Sequence, residues 1–264
     1  YYGVYLSYSD YNSISGNNIT ANNVEGICFV DSSNNTVSGN NLSYSGQEGI
    51  LLDHSSNNTL TLNNITSNLW GGFPGITLTN SHNNNLNDNI VSSYNSGIKL
   101  WYSSANILDK NSVLNNYHWG IFLFYSNSNI LSGNNVSNNG DDGILLYLSS
   151  DNTLADNIAS NNRRNFRIEG SDFSDFNNYI DTSNTVDGKP IYYLVGVSNA
   201  IYNAEANAGV IYLIDCKNIT LRDLTLTKNG YAVFLWGTTN SKIQNVTASN
   251  NVVGIWLYIS NNNF

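Results

Sequence analysis

The sequence predicts an all-β chain, a right-handed single-stranded parallel β-helix of about 10–11 coils, each of about 22–23 residues with three short strands. Three observations carry that expectation. First, a phrase typified by residues 26–43, Gly-Ile-Cys-Phe-Val-Asp-Ser-Ser-Asn-Asn-Thr-Val-Ser-Gly-Asn-Asn-Leu-Ser, recurs along the chain. It opens at Gly3, Gly26, Gly49, Gly75, Gly97, Gly120 and Gly143, in steps of 23, 23, 26, 22, 23 and 23 residues. Second, apolar and polar residues alternate inside each copy. Third, Asn and Ser recur in columns where the chain must turn. Self-similarity at a period of roughly 20–50 residues marks a solenoid.

The first strand of each copy reads Gly-Ile-x-Leu, so that Ile50 and Leu52 point inward. A second apolar column follows eight residues on: Ile14, Val37, Leu60, Leu86, Leu108, Leu131, Leu154, Phe176, Leu221, Ile243. A third lies four or five residues beyond it: Ile19, Leu42, Ile65, Ile90, Val113, Val136, Ile158, Leu226, Val246. Between them stand Asn12, Asn35, Asn58, Asn84, Asn106, Asn129 and Asn152, and a shorter series of Asn17, Asn40, Asn63, Asn111 and Asn134. Asn tolerates left-handed backbone, and stacked amides satisfy turn groups that would otherwise be buried unpaired. Ser9, Ser32, Ser55, Ser81, Ser103, Ser126, Ser149 and Ser171 form a further column, continued by Cys216, Thr238 and Ser260. Helix is excluded because Asn-Asn, Ser-Gly and Asn-Gly pairs interrupt the chain about every five residues. Stacked coils pair their strands in parallel, and parallel crossovers are right-handed.

A degenerate copy opens at Asn165, and the phrase returns near Val210, Ala232 and Gly254. We therefore expect one domain over residues 1–264 with an insertion at about 179–208, packed on a flank or carrying a binding loop. The chain starts in mid-repeat with no signal peptide in view, and Phe264 falls within a coil; a longer parent chain or end-to-end stacking is the expectation.

With 41% hydrophobic and 12% aromatic residues the chain can build a core, so its Asn and Ser richness is not disorder. Only 11% of residues are charged, the net charge is −9 and the pI about 4.5, which disfavours nucleic acid and anionic membrane as partners. No apolar run approaches the roughly 18–20 residues of a membrane span. Cys216 replaces a small hydroxyl in the Ser column, and Cys28 sits several coils away on an outward position, too far for a disulfide.

The phrases Ser-x-x-Asn-Asn-Thr-[Val/Leu] and Gly-Asn-Asn-[Val/Leu/Ile] resemble the parallel β-helix repeats of NosD-like proteins, a family that includes repeats of archaeal cell-surface proteins. Residues 184–194, Asn-Thr-Val-Asp-Gly-Lys-Pro-Ile-Tyr-Tyr-Leu, followed by Cys216-Lys217-Asn218-Ile219-Thr220-Leu221, carry the same likeness. The resemblance implies the fold, an extracellular or cell-surface setting and, through the family's namesake, an accessory role for a copper enzyme. Against copper stand the absence of Met, the distant Cys pair and the scattered His54, His82 and His118. No metal site and no cofactor are expected.

Catalysis by related β-helices needs paired carboxylates, or acidic calcium ligands beside an Arg or Lys base. The charge-dense region is Asp141, Asp142, Asp151, Asp156, Arg163, Arg164, Arg167, Glu169, Asp172 and Asp175, which solvated ion pairs explain as well as catalysis does. Outward positions of the first strand are more informative. They place Lys99, Trp101, Phe122, Phe124, Tyr147, Tyr212, Phe234, Trp236, Trp256 and Tyr258 on an aromatic outer face, with Tyr102 and Tyr125 at the strand ends. Such a face assembles with other chains, is covered by the insertion, or stacks sugar rings. Eight sequons, at Asn18, Asn34, Asn41, Asn57, Asn64, Asn135, Asn218 and Asn245, are outward candidates for glycosylation.

The expectation is an extracellular structural module of surface-layer, sheath or adhesin type, acting by self-association or by binding other surface proteins, without turnover. The alternatives are a β-helix that binds or cleaves polysaccharide along the aromatic face, and an accessory protein for a copper enzyme.

Overall fold

The computed structural model describes residues 1–68 and 71–263; Phe264 lies outside them. Eight strands stack in parallel as sheet A: Val4–Ser7, Ile27–Val30, Ile50–Asp53, Pro74–Thr79, Ser96–Trp101, Ile121–Phe124, Asp142–Tyr147 and Arg164–Glu169. Sheet B climbs likewise from Ser13–Ser15 to Tyr179–Ile180, and sheet C from Asn18–Thr20 to Thr185–Val186. The chain is the expected right-handed parallel solenoid. Among the described residues, helical structure is confined to two 3-10 turns, Phe173–Phe176 and Ala204–Ala206.

Alternation puts like residues over like. Ile27, Ile50, Ile76, Ile98, Ile121, Ile144 and Phe166 are partners in successive strands and are buried. Each such side chain contributes about 1.5–3 kcal/mol by leaving water. The coil-opening Gly is required by crowding. A Cβ on Gly97 would lie 2.1 Å from Val113 Cγ1 and 2.6 Å from the Gly120 carbonyl oxygen.

The Asn columns are hydrogen-bonded ladders. In the first, each backbone N–H donates to the side-chain oxygen one coil above, from Asn12 to Asn35 at 2.7 Å up to Asn152 to Asn178 at 2.9 Å. The second includes Asn89 and Asn157 as well, and reaches Asn184. Its amides also donate downward, as Asn111 Nδ2 does to the Leu86 carbonyl at 2.8 Å. A third ladder runs through Asn116, Asn139, Asn162 and Asn165.

Asn89 and Asn157 correct the third apolar column. Because the inward residue stands two after the ladder Asn, the core takes Val91 and Ala159, while Ile90 and Ile158 point out, 45% and 49% exposed. In the second column Ile180, not Phe176, pairs with Leu154. Ser171 leaves its expected column to bond Asp175 in the 3-10 turn.

Residues 179–208, expected as an insertion, divide between two coil stacks. Residues 179–186 complete the last coil of the first. A left-handed Asp187-Gly188 turn then reverses the chain, and Lys189–Val195 pairs antiparallel to Thr185–Val186. Val210–Ile214, Tyr231–Trp236 and Val253–Tyr258 add to it in parallel. With sheet D, Ser198–Tyr202, Lys217–Thr227 and Lys242–Ser249, they enclose a second core around Ile211, Leu213, Leu221, Leu226 and Leu235.

The outer side of that second stack lies against the end of the first. Tyr193, Tyr212, Phe234 and Trp236 join the first core beside Phe166 and Phe176. Tyr212 Oη accepts the Ile168 N–H at 3.1 Å, and the Gly230 N–H donates to the Phe166 carbonyl at 3.0 Å. Gly230 has no room for a side chain, since its Cβ would lie 2.3 Å from Arg167 Cδ.

Candidate functional site

The outer face of sheet A carries the candidate site, and the strand register builds it. One outward column reads Tyr5, Cys28, Leu51, Thr77, Lys99, Phe122, Leu145, Arg167; the neighbouring one ends in Trp101, Phe124, Tyr147, Glu169. Aromatic residues at equivalent positions stack because parallel in-register strands hold them about 4.8 Å apart. Trp101 lies on Phe124 at 4.0 Å between centroids and 21°, and Phe124 on Tyr147 at 5.5 Å and 17°. Beside them Tyr102 stacks on Tyr125 at 5.2 Å and 4°. Both tyrosines hold left-handed backbone, with φ of 50° and 45°, a conformation that Asn or Gly adopts at lower cost.

Acid–base groups lie at the foot of this ladder. The Glu48 carboxyl is pushed by burial from its usual 4.5 to about 7, with the nearby Glu25 charge adding to the rise and Lys99 opposing it. The Thr77 hydroxyl reaches Glu48 Oε1 at 3.5 Å. Burial lowers Lys99 from its ordinary range, against the pull of Glu48. Its Nζ stands 4.2 Å over the Trp101 ring, a cation–π contact. Glu25 is buried, its carboxyl raised by that burial, and its Oε2 has no hydrogen-bond partner among the described residues. Cys28 lies on the outward column but is covered, and burial pushes its thiol up to about 12, which keeps it protonated.

Neither Glu25 nor Glu48 stands out in the sequence as a site residue. The signal was present: each immediately precedes a coil-opening Gly in a chain where only 11% of residues are charged. Spacing gave the aromatic parity, yet Tyr212, Phe234 and Trp236 are not on an open face. They point away from their own core and are buried by the first stack, which covers them in place of an insertion. Phe122 is also buried, beneath Trp119 at 4.7 Å. Trp256 and Tyr258 remain partly open, at 38% and 40%. All eight sequon asparagines are exposed.

The charge-dense region separates into a clasp and scattered surface groups. Asp142, fully buried, receives Arg164 Nε at 2.8 Å and Arg167 at 2.7 Å, while Arg164 also meets Asp141 and Arg167 meets Glu169. Burial raises Asp142 above the usual carboxylate range although both guanidiniums pull it down. This clasp backs the junction at Gly230. Asp172 and Asp175 belong to the 3-10 turn, and Asp151, Asp156 and Arg163 are exposed. His54 bonds Asp53, and His82 Nδ1 accepts the Ser104 N–H. Among the described residues no three His, Cys, Asp or Glu side chains gather where they could hold a metal ion. Cys216 keeps its Ser-like place, its N–H donating to Thr238 Oγ1.

Above Tyr147 the face ends in a cleft of about 280 Å³ at the junction. It is lined by Tyr147, Glu169, Phe176, Tyr231, Trp236 and Trp256 among others.

Among solved structures, the chain is similar to the A-module of the Azotobacter vinelandii mannuronan C-5 epimerase AlgE4, with a TM-score of 0.52 and 14% identity. The match covers 91% of this chain and 63% of that one. It is also similar to the periplasmic alginate epimerase AlgG, with a TM-score of 0.50 and 17% identity, covering 88% of this chain and 48% of that one. The chain thus spans less than two thirds of either structure, and at these identities the likeness is one of fold. No curated protein matches the sequence. The family model for the right handed beta helix region matches residues 1–113 and 70–206. The chain belongs to the right-handed β-helix family.

Proposed function

We propose that this protein acts on a polysaccharide laid across the outer face of sheet A. One observation carries the reading: the stacked Trp101, Phe124 and Tyr147 rings adjoin the Glu48 and Lys99 pair on a single face. A ladder of partly open aromatic rings offers flat apolar surfaces at coil spacing, which suits the apolar faces of successive sugar rings. A carboxyl titrating near neutrality beside a lysine of lowered basicity is suited to proton transfer at working pH. The fold-level likeness to two alginate-modifying enzymes is consistent with this reading as an analogy.

The scaffold reading finds less support. Four of the eleven aromatic residues of the face it relied on, Phe122, Tyr212, Phe234 and Trp236, are buried inside the molecule. An extracellular setting and glycan occupancy remain part of the proposal. The sequons predict an intact mass above the 29.1 kDa of the polypeptide when the protein comes from a glycosylating host.

The test is a polysaccharide panel scored for binding and for release or modification of product, with wild type and Glu48→Gln. Glu48→Gln should bind as wild type does while losing at least about 100-fold in turnover. Undiminished turnover in Glu48→Gln would remove the acid–base role. Concentration-dependent filaments abolished by Trp101→Ser with Phe124→Ser, with no glycan bound, would return the face to assembly.

A further inference from the structure

The junction cleft continues the track that begins at Lys99. Its floor is Phe176, Phe234 and Trp236; its lips are Tyr147 and Glu169 from the first stack and Trp256 from the second. Trp256 packs on Tyr231 at 5.0 Å and on Phe234 at 5.5 Å, and lines the cleft together with Tyr147. The cleft exists because the second stack lies over the end of the first, so the reversal at Asp187-Gly188 creates it. Its size and aromatic lining suit a ligand of one or two sugar rings.

Charge along the track then narrows the ligand. Glu169, the carboxylate in the cleft, is bridged to Arg167, and Arg167 is also held by Asp142. The ladder rings carry no charge. At the foot, Lys99 faces Glu48, with Glu25 and Asp53 close enough for their charges to act on Cys28. On the described outer face of sheet A the arginines are bridged to carboxylates. Lys99 alone has no salt bridge, and it faces Glu48 and the Trp101 ring. One lysine thus stands against a carboxylate on every ring of an anionic polymer, and the chain as a whole carries a net charge of −9. A polyuronate would bring a carboxylate with every ring into this acidic surroundings, where like charges slow encounter and cost affinity.

We infer that the track takes an uncharged polysaccharide, and that the junction cleft binds its end sugars between Tyr147 and Trp256. This rests on the polysaccharide reading above and sharpens it, since the two similar epimerases are named for anionic substrates.

The experiment is affinity electrophoresis and calorimetry of the wild-type chain against neutral polymers (β-glucan, xylan, galactomannan) and polyuronates (alginate, polygalacturonate) at low and moderate salt. The expected result is binding to a neutral polymer at least about tenfold tighter than to either polyuronate. Trp256→Ala and, from the other lip, Tyr147→Ser should each weaken that binding about tenfold, with thermal unfolding confirming that each variant is folded. Tighter binding to a polyuronate would overturn the neutral assignment and keep the polysaccharide reading. Neutral binding untouched by both folded variants would overturn the cleft assignment alone. Binding to neither class would overturn the polysaccharide reading and this inference with it.

Discussion

The two coil stacks use the same strand pattern and put it to different ends. In the first, outward Trp101, Phe124 and Tyr147 form an open ladder; in the second, outward Tyr212, Phe234 and Trp236 are core. Period-two alternation fixes which side of a strand a residue occupies. It does not fix what lies opposite that side. The reversal at Asp187-Gly188 turns the second stack over the end of the first, and so converts one aromatic face into an interface while leaving the other open.

That difference can be broken most forcefully at the junction. Tyr212→Ala removes a fully buried ring and the hydroxyl that receives the Ile168 N–H, and should cost about 3–5 kcal/mol in denaturant unfolding. Its open counterpart Trp101→Ala should cost less than about 1 kcal/mol. Equal losses would mean that the two faces are not distinguished as described. Gly230→Ala drives a methyl into Arg167 and should cost about 1–3 kcal/mol, with exchange protection falling first in residues 189–258. An unchanged exchange pattern would contradict the close packing of the stacks.

A ladder substitution acts within the first stack alone. Asn111→Ala removes the acceptor of the Asn89 N–H and one donor to the Leu86 carbonyl, both buried, and should cost about 1–3 kcal/mol. Substituting exposed Asn64, one residue past the second ladder, should change stability by less than about 0.5 kcal/mol. A further effect is in pH. Because the folded state raises Glu48 from 4.5 to about 7, it holds that proton more tightly than the unfolded chain does. The contribution is fully present below about pH 4.5 and is lost as pH rises toward 7. Glu48→Gln should flatten the stability profile across that window and leave it unchanged below it.

The coil repeat, the parallel pairing and two of the three Asn ladders were legible because each rests on residues that recur in fixed places. Register slipped where hydrophobicity was ambiguous: Ile90-Val91 offers two apolar neighbours, and only Asn89 says which one points in. The reversal was legible as a break in the repeat near residue 179, but strand direction after a turn depends on two left-handed residues and on strand partners 19 residues away. The character of Glu48 comes from burial beside Lys99 and Thr77 and that of Glu25 from burial alone, and their place before a coil-opening Gly does not by itself express either.

The central claim is that the open ladder of the first stack is a sugar platform, while the rings of the second stack are spent mainly on the junction. Equilibrium binding of a captured polysaccharide to Trp101→Ala with Phe124→Ala, at wild-type thermal stability, tests it most directly. The account predicts a loss of at least about 100-fold in affinity with the fold intact. Wild-type affinity in that double variant would contradict it.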